Sequence, residues 1–200
     1  MMKIVPNLFL LGLLALPVSM HADEVEAIRN VFTTFQSSLL AGDTVKAADT
    51  LAPSVTTYYD KLKPLAASNS TLPATTPPVD RLVVEVLRQR AGPQASKQSL
   101  AEMTAEGLRQ GWIKLDGLQD VQIGAVSVTG NTATAGLIIK QEPTSWGIPF
   151  LKTAAGWKMD PLAFYKMGDF LLKAETARNG FDEQKTIHDI VASLPAKKKI

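Results

Sequence analysis

From Asp120 onward the spacing of apolar residues changes from steps of three and four to steps of two, and this change limits the fold more than any other feature. Before it, "DEVEAIRNVFTTFQSSLLA" places Val25, Ile28, Phe32, Phe35 and Leu39 on one stripe. That spacing predicts a long amphipathic helix over 23–41, with Asp23, Glu24 and Glu26 at the end where the helix dipole favours acids. After it, "DVQIGAVSVTG" puts Val121 and Ile123 on one face and Val126 and Val128 in the opposite phase. A bulge near Gly124 and Ala125 is needed to return all four to one side. Gly130 and Asn131 then read as a tight hairpin turn into "TATAGLIIKQE". Helices that precede strands, rather than alternating with them, predict an α+β chain with an antiparallel sheet.

The intervening stretches carry punctuation. Gly42 reads as a helix stop and Asp43 as the N-cap of a short second helix through Leu51, closed by Pro53. "SVTTYYDKL" reads as a short strand or turn, and "KPLAASNSTLPATTPP", 63–78, as an exposed loop rich in Pro, Ser and Thr. "VDRLVVEVLRQRAG" returns to helical spacing, with Leu82, Val83, Val86 and Leu87 on one face. Its Arg81, Arg88 and Arg90 are candidates for an anion site, but Glu85 lies within helical reach of two of them and favours a solvated, salt-bridged face. Ser99 and Glu102 form a capping-box pair at the start of a helix ending near Gly111. Beyond the first hairpin we expect a loop at Pro143, then a strand "SWGIPFLKT" whose Pro149 requires an edge or bulged position. A hairpin through "AAG" into "WKMDP" completes the sheet, and two helical segments follow before the "KKKI" tail.

The opening "MMKIVPNLFLLGLLALPVSMHA" has the pattern of a secretory signal with cleavage near Ala22. Its apolar run, Leu8 to Leu16, is shorter than the roughly 20 residues of a membrane span. The expectation is a periplasmic or secreted protein with no stable membrane anchor after cleavage. The organisation reads as 1–22 signal, 23–178 a single domain with the 63–78 loop and inserted helices at 79–111, and 179–200 a helical extension with a basic tail. With 21 basic against 19 acidic residues, nucleic acid is not an expected partner. There is no cysteine, and one of the two histidines, His21, lies in the signal. A Cys/His zinc site is therefore not expected, and a Ser-His-Asp triad could form only around His188, which reads as a solvated or capping residue. No phosphate-cradling glycine loop, Ser-x-x-Lys or Gly-x-Ser-x-Gly is present, and no metal or cofactor is expected.

A long helix, a Gly-Asp corner, a short helix and a bent antiparallel meander follow one another in "FTTFQSSLLAGDTVKAADTLAPSV" and "GNTATAGLIIKQ" with "GIPFLKTAAGWKMD". In this order the chain resembles the nuclear transport factor two-like superfamily, whose cystatin-like cone is shared with ketosteroid isomerases and many exported proteins. The resemblance implies a long helix packed on a concave sheet, with Phe32, Phe35, Tyr58, Tyr59, Trp146, Phe150 and Trp157 around the cavity. Those aromatics either line a ligand site or fill a core. The isomerase aspartate falls at Tyr59 in a gapless match, with Asp60 one step away. The oxyanion tyrosine matches Phe35, which cannot donate a hydrogen bond, and "WGIPFLK" supplies no acid for the second donor. The resemblance thus implies a non-enzymatic exported protein binding a small apolar ligand or a protein partner. Two alternatives stand beside it: a cofactor-free lyase or isomerase with Asp60 as base beside Tyr58 or Tyr59, and an envelope assembly protein that forms a homodimer through its outer sheet face. The helices and loop between Lys63 and Lys114, and the helices after Pro161, are additions to the family's minimal layout.

Overall fold

A computed structural model describes residues 18–68 and 70–195. Most of the expected signal segment and the basic tail lie outside them. Helix α1 (Val18–Leu40) includes the expected cleavage point at Ala22, and its predicted stripe turns inward, with Ile28 and Phe32 buried. Gly42 ends the run with a left-handed φ of +77°, where a Cβ would be strained. The Asp43 carboxylate accepts the Lys46 N–H at 3.0 Å and caps α2 (Thr44–Asp49). Removing that acceptor in Asp43→Ala is expected to cost about 1 kcal/mol of folding stability. Urea denaturation checks it, and an unchanged midpoint would mean that the cap is dispensable.

The next segment departs from expectation. Pro53 does not merely close α2; it opens α3 (Pro53–Ala67), so "SVTTYYDKL" is helical. Proline is pre-organised for a first helical turn, and the packing of Val55, Leu62 and Ala66 overrides the strand preference of their β-branched and aromatic neighbours. The helix runs through Pro64, which keeps its carbonyl bonded to the Ser68 N–H at 3.0 Å. The loop expected over 63–78 is correspondingly shorter. Helix α4 (Pro78–Arg90), a 3-10 turn (Gly92–Lys97) and α5 (Leu100–Gln110) follow, the last with the Ser99–Glu102 capping box in place. The box holds the Glu102 carboxyl below its usual range, because the backbone N–H of Ser99 bonds it first and the Ser99 hydroxyl second.

The sheet has four antiparallel strands in sequence order: β1 (Val121–Thr129), β2 (Thr132–Ile139), β3 (Glu142–Thr153) and β4 (Gly156–Met159). The β1 register shifts between Ile123 and Val126, as the phase change in the sequence requires. The loop expected at Pro143 is absent. Lys140 and Gln141, both at positive φ, make a tight turn, and Pro143 pairs with Ile138 inside β3. A second irregularity accompanies it: between the Gly136–Gly147 and Ile138–Pro143 pairs, β2 advances two residues and β3 four. The Thr144 hydroxyl stands in for the ladder there, donating to the Leu137 carbonyl at 3.0 Å and accepting the Trp146 N–H at 3.2 Å. Pro149 is tolerated because its carbonyl accepts the Asp160 N–H at 2.8 Å, so its ring nitrogen faces the same side, just past the end of β4.

Both sheet edges are covered in part, which blunts pairing with another chain. On β1, Arg29 donates to the Ile123 and Gly124 carbonyls and Gln36 to that of Val121. On β4, the Thr50–Ala52 segment forms a parallel bridge: the Ala52 N–H donates to the Met159 carbonyl at 2.8 Å, and the Met159 N–H to the Thr50 carbonyl at 2.9 Å. The Gly-Asp corner and α2 exist to bring that segment there.

Three apolar clusters result. One lies between α1 and the sheet, around Phe32, Phe150 and Trp157. A second joins α3, α4, the 3-10 turn and α5 around Leu62, Val84 and Met103. A third joins α4 to α6 (Ala163–Arg178) and α7 (Glu183–Ser193) through Leu172, Ile187 and Val191. The expected pairing of Glu85 with Arg88 is present, at 3.8 Å, but the three arginines of α4 do not form a solvated face. Arg81 and Arg88 donate to backbone carbonyls of the 65–76 stretch, and Arg90 is buried against the end of α7, because a helix sandwiched between two clusters has little face left for solvent.

Candidate functional site

The structure separates the seven aromatics that the resemblance grouped. Phe32, Phe150 and Trp157 are buried together in the helix–sheet core. Trp146 stands on the β3 irregularity, 47 % exposed. Tyr58 turns towards α4 and donates to the Asp80 carboxylate at 2.5 Å. Burial, followed by that hydrogen bond to a carboxylate, pushes the Tyr58 phenol far above its ordinary pKa. Its ring meets that of Tyr59 edge to face, with centroids 5.4 Å apart.

With part of its ring Phe35 packs against the helix–sheet core, and with Tyr59 it also lines a pocket. It lies where the helix–sheet layer meets the helical layer. Phe35 and Leu39 from α1, Thr44, Ala47 and Ala48 from α2, Leu51, Val55 and Tyr59 towards α3, Leu100 and Thr104 from α5, and Pro161 after β4 line a half-open pocket of about 150 Å³. The wall has no charged side chain. The geometry follows from the chain's punctuation. Gly42 folds α2 back across the end of α1, and Pro53 starts α3 at a new angle, so three helix ends converge without filling the space between them. Sequence reasoning identified two of these lining residues and missed Thr44, Thr104 and the alanines. Small and hydroxylated residues at helical spacing give no signal of facing a void.

Asp60, the candidate base, is not in this pocket. One residue along α3 from Tyr59, it points to solvent with its side chain 55 % exposed, 2.6 Å from the Lys63 ammonium. That ammonium is nearly buried and also donates to the Gln98 carbonyl at 2.8 Å, so Asp60 serves as its counter-charge. An exposed carboxylate already engaged with an ammonium is poorly placed to abstract a proton from a substrate in an apolar pocket.

A larger space, about 350 Å³, lies between α4, α7 and residues 70–72, lined by Arg81, Glu85, Arg88, Glu183 and His188. Its cations are already engaged. Arg81 pairs with Glu183 at 3.1 Å, and Arg88 donates to the Leu65, Ser68 and Ser70 carbonyls. His188 projects into solvent, 3.5 Å from Asp189. The groove is a strap holding residues 70–76 to α4 rather than a vacant charged site. Among the described residues no group of His, Asp or Glu is arranged to hold a metal ion, and no helix is long and apolar enough to cross a membrane.

Comparison with protein-family models, curated proteins and solved structures finds no match for this chain.

Proposed function

We propose that the chain is an exported binding protein of nuclear transport factor two-like architecture that holds a small apolar molecule in the pocket between α1, α2, α3 and α5. The observation that carries this reading is the pocket itself, an uncharged space of about 150 Å³ at the junction of two cores. That space has room for a benzene-sized group, whereas drug-sized ligands need roughly 300 Å³ or more. The part of the ligand that enters it is therefore ring-sized. The export pattern of residues 1–22 and the order of α1, the Gly-Asp corner, α2 and the sheet support the location and the architecture.

Titration with toluene, followed by methyl NMR, tests the reading. Shifts are expected at Leu39, Leu51, Val55 and Leu100, and Ala48→Leu, which occupies the space, is expected to abolish them. Shifts spread over the sheet core, at Ile123 and Leu137, or none at all in the folded chain, would overturn it.

A further inference from the structure

We infer that the pocket selects a neutral single-ring alcohol, of the phenol class, and that the hydroxyl of Thr44 meets the ligand's hydroxyl. This rests on the ligand-binding reading above and adds a polar partner to it.

Three hydroxyl-bearing threonines lie in or beside the pocket, and two of them are satisfied by their own helices or turns. Thr104 donates to the Leu100 carbonyl at 2.8 Å and Thr50 to the Ala47 carbonyl at 2.6 Å. Thr44 differs by position. It is the first residue of α2, so no carbonyl of its own helix lies one turn back to accept its proton. Its residue is 6 % exposed and lines the pocket, yet its hydroxyl makes no hydrogen bond among the described residues. Its oxygen is open to the pocket space rather than sealed in the wall, so a bound hydroxyl can take the place of water as its partner.

The rest of the wall defines the remainder of the ligand. The volume admits one ring, and anything larger extends through the open side. Phe35 and Tyr59 offer aromatic surface, against which an aromatic ring packs better than an aliphatic one. No Lys, Arg or His lines the space, so a carboxylate or phenolate would enter without a counter-charge and is excluded.

The test titrates p-cresol, toluene and benzoate into the full chain. p-Cresol is expected to bind about fivefold more tightly than toluene, the factor that one neutral hydrogen bond contributes. Benzoate is expected not to bind. Thr44→Val should bring p-cresol to the affinity that toluene has in the same variant. The pair Thr44→Ser, which keeps the preference, and Thr44→Ala, which loses it, repeats the contrast if the valine variant does not fold. Toluene binding without a p-cresol preference, or a preference that survives loss of the Thr44 hydroxyl, overturns this inference and leaves the binding reading standing. A folded chain that takes up neither ligand, its pocket holding water alone, overturns both.

Discussion

Phe150→Ala is expected to lower the unfolding free energy by about 3–5 kcal/mol, the range for truncating a buried phenylalanine. Phe150 is 0 % exposed and belongs to the same cluster as Phe32 and Trp157, both nearly buried. The loss has two parts: the apolar area that returns to water in the unfolded reference no longer contributes, and the cavity left behind forfeits dispersion contacts on every side. Relaxation is limited because β3 is tied to β2 on one side and to β4 on the other. Urea denaturation measures the effect as a lower midpoint with an unchanged slope. A loss below about 1 kcal/mol would place Phe150 on a cavity wall rather than in a packed core. The same experiment therefore decides between the two readings of the aromatic set at its most buried member.

Arg90→Met has the second largest expected effect, about 2 kcal/mol. The Arg90 guanidinium donates to the carbonyls of Val191 and Leu194, at 2.8 and 2.9 Å, and its residue is only 8 % exposed. Val191 lies in the last turn of α7 and Leu194 is its C-cap, where the helix dipole presents partial negative charge; the Val191 carbonyl also accepts the Leu194 N–H at 3.2 Å, so the cation gives it a second bond and meets the cap carbonyl and the dipole as well. Hydrogen bonds from charged donors contribute roughly 1.5–3 kcal/mol each. Against them stands the cost of burying a guanidinium whose Nε has no partner among the described residues. Methionine keeps most of the packing and removes both terms, so the measured sign shows which is larger. We expect the bonds to win, with α7 amides losing hydrogen-exchange protection before those of the sheet. Wild-type stability in Arg90→Met would mean that the desolvation cost cancels them.

Much of the secondary structure was legible because it is written in local spacing. The α1 stripe, the Asp43 cap, the Ser99–Glu102 box and the β1 bulge each depend on residues within a few positions of one another. The misreadings share a cause in distant packing. "SVTTYYDKL" has the composition of a strand, but Tyr58 finds its acceptor at Asp80, and Leu62 and Ala66 find their neighbours on α4, so a helix is the better way to bury them. Lys140 and Gln141 carry no turn signature, yet the sheet register holds both at positive φ. Arg90 read as a surface residue because the carbonyls it serves lie a hundred residues away.

The candidate site divides along the same line. Spacing alone placed Phe35 on the inward stripe of the first helix and set the Gly42–Asp43 corner, since a helix period and a glycine stop are properties of one short stretch. Only the tertiary structure decided that Phe32, Phe150 and Trp157 close into a core while Phe35 and Tyr59 face a void, and that Asp60 turns outward to Lys63. A pocket is the space left where separately formed elements fail to meet. Its wall is drawn from α1, α2, α3 and α5 together, and no periodicity within any one of them records the distance to the others.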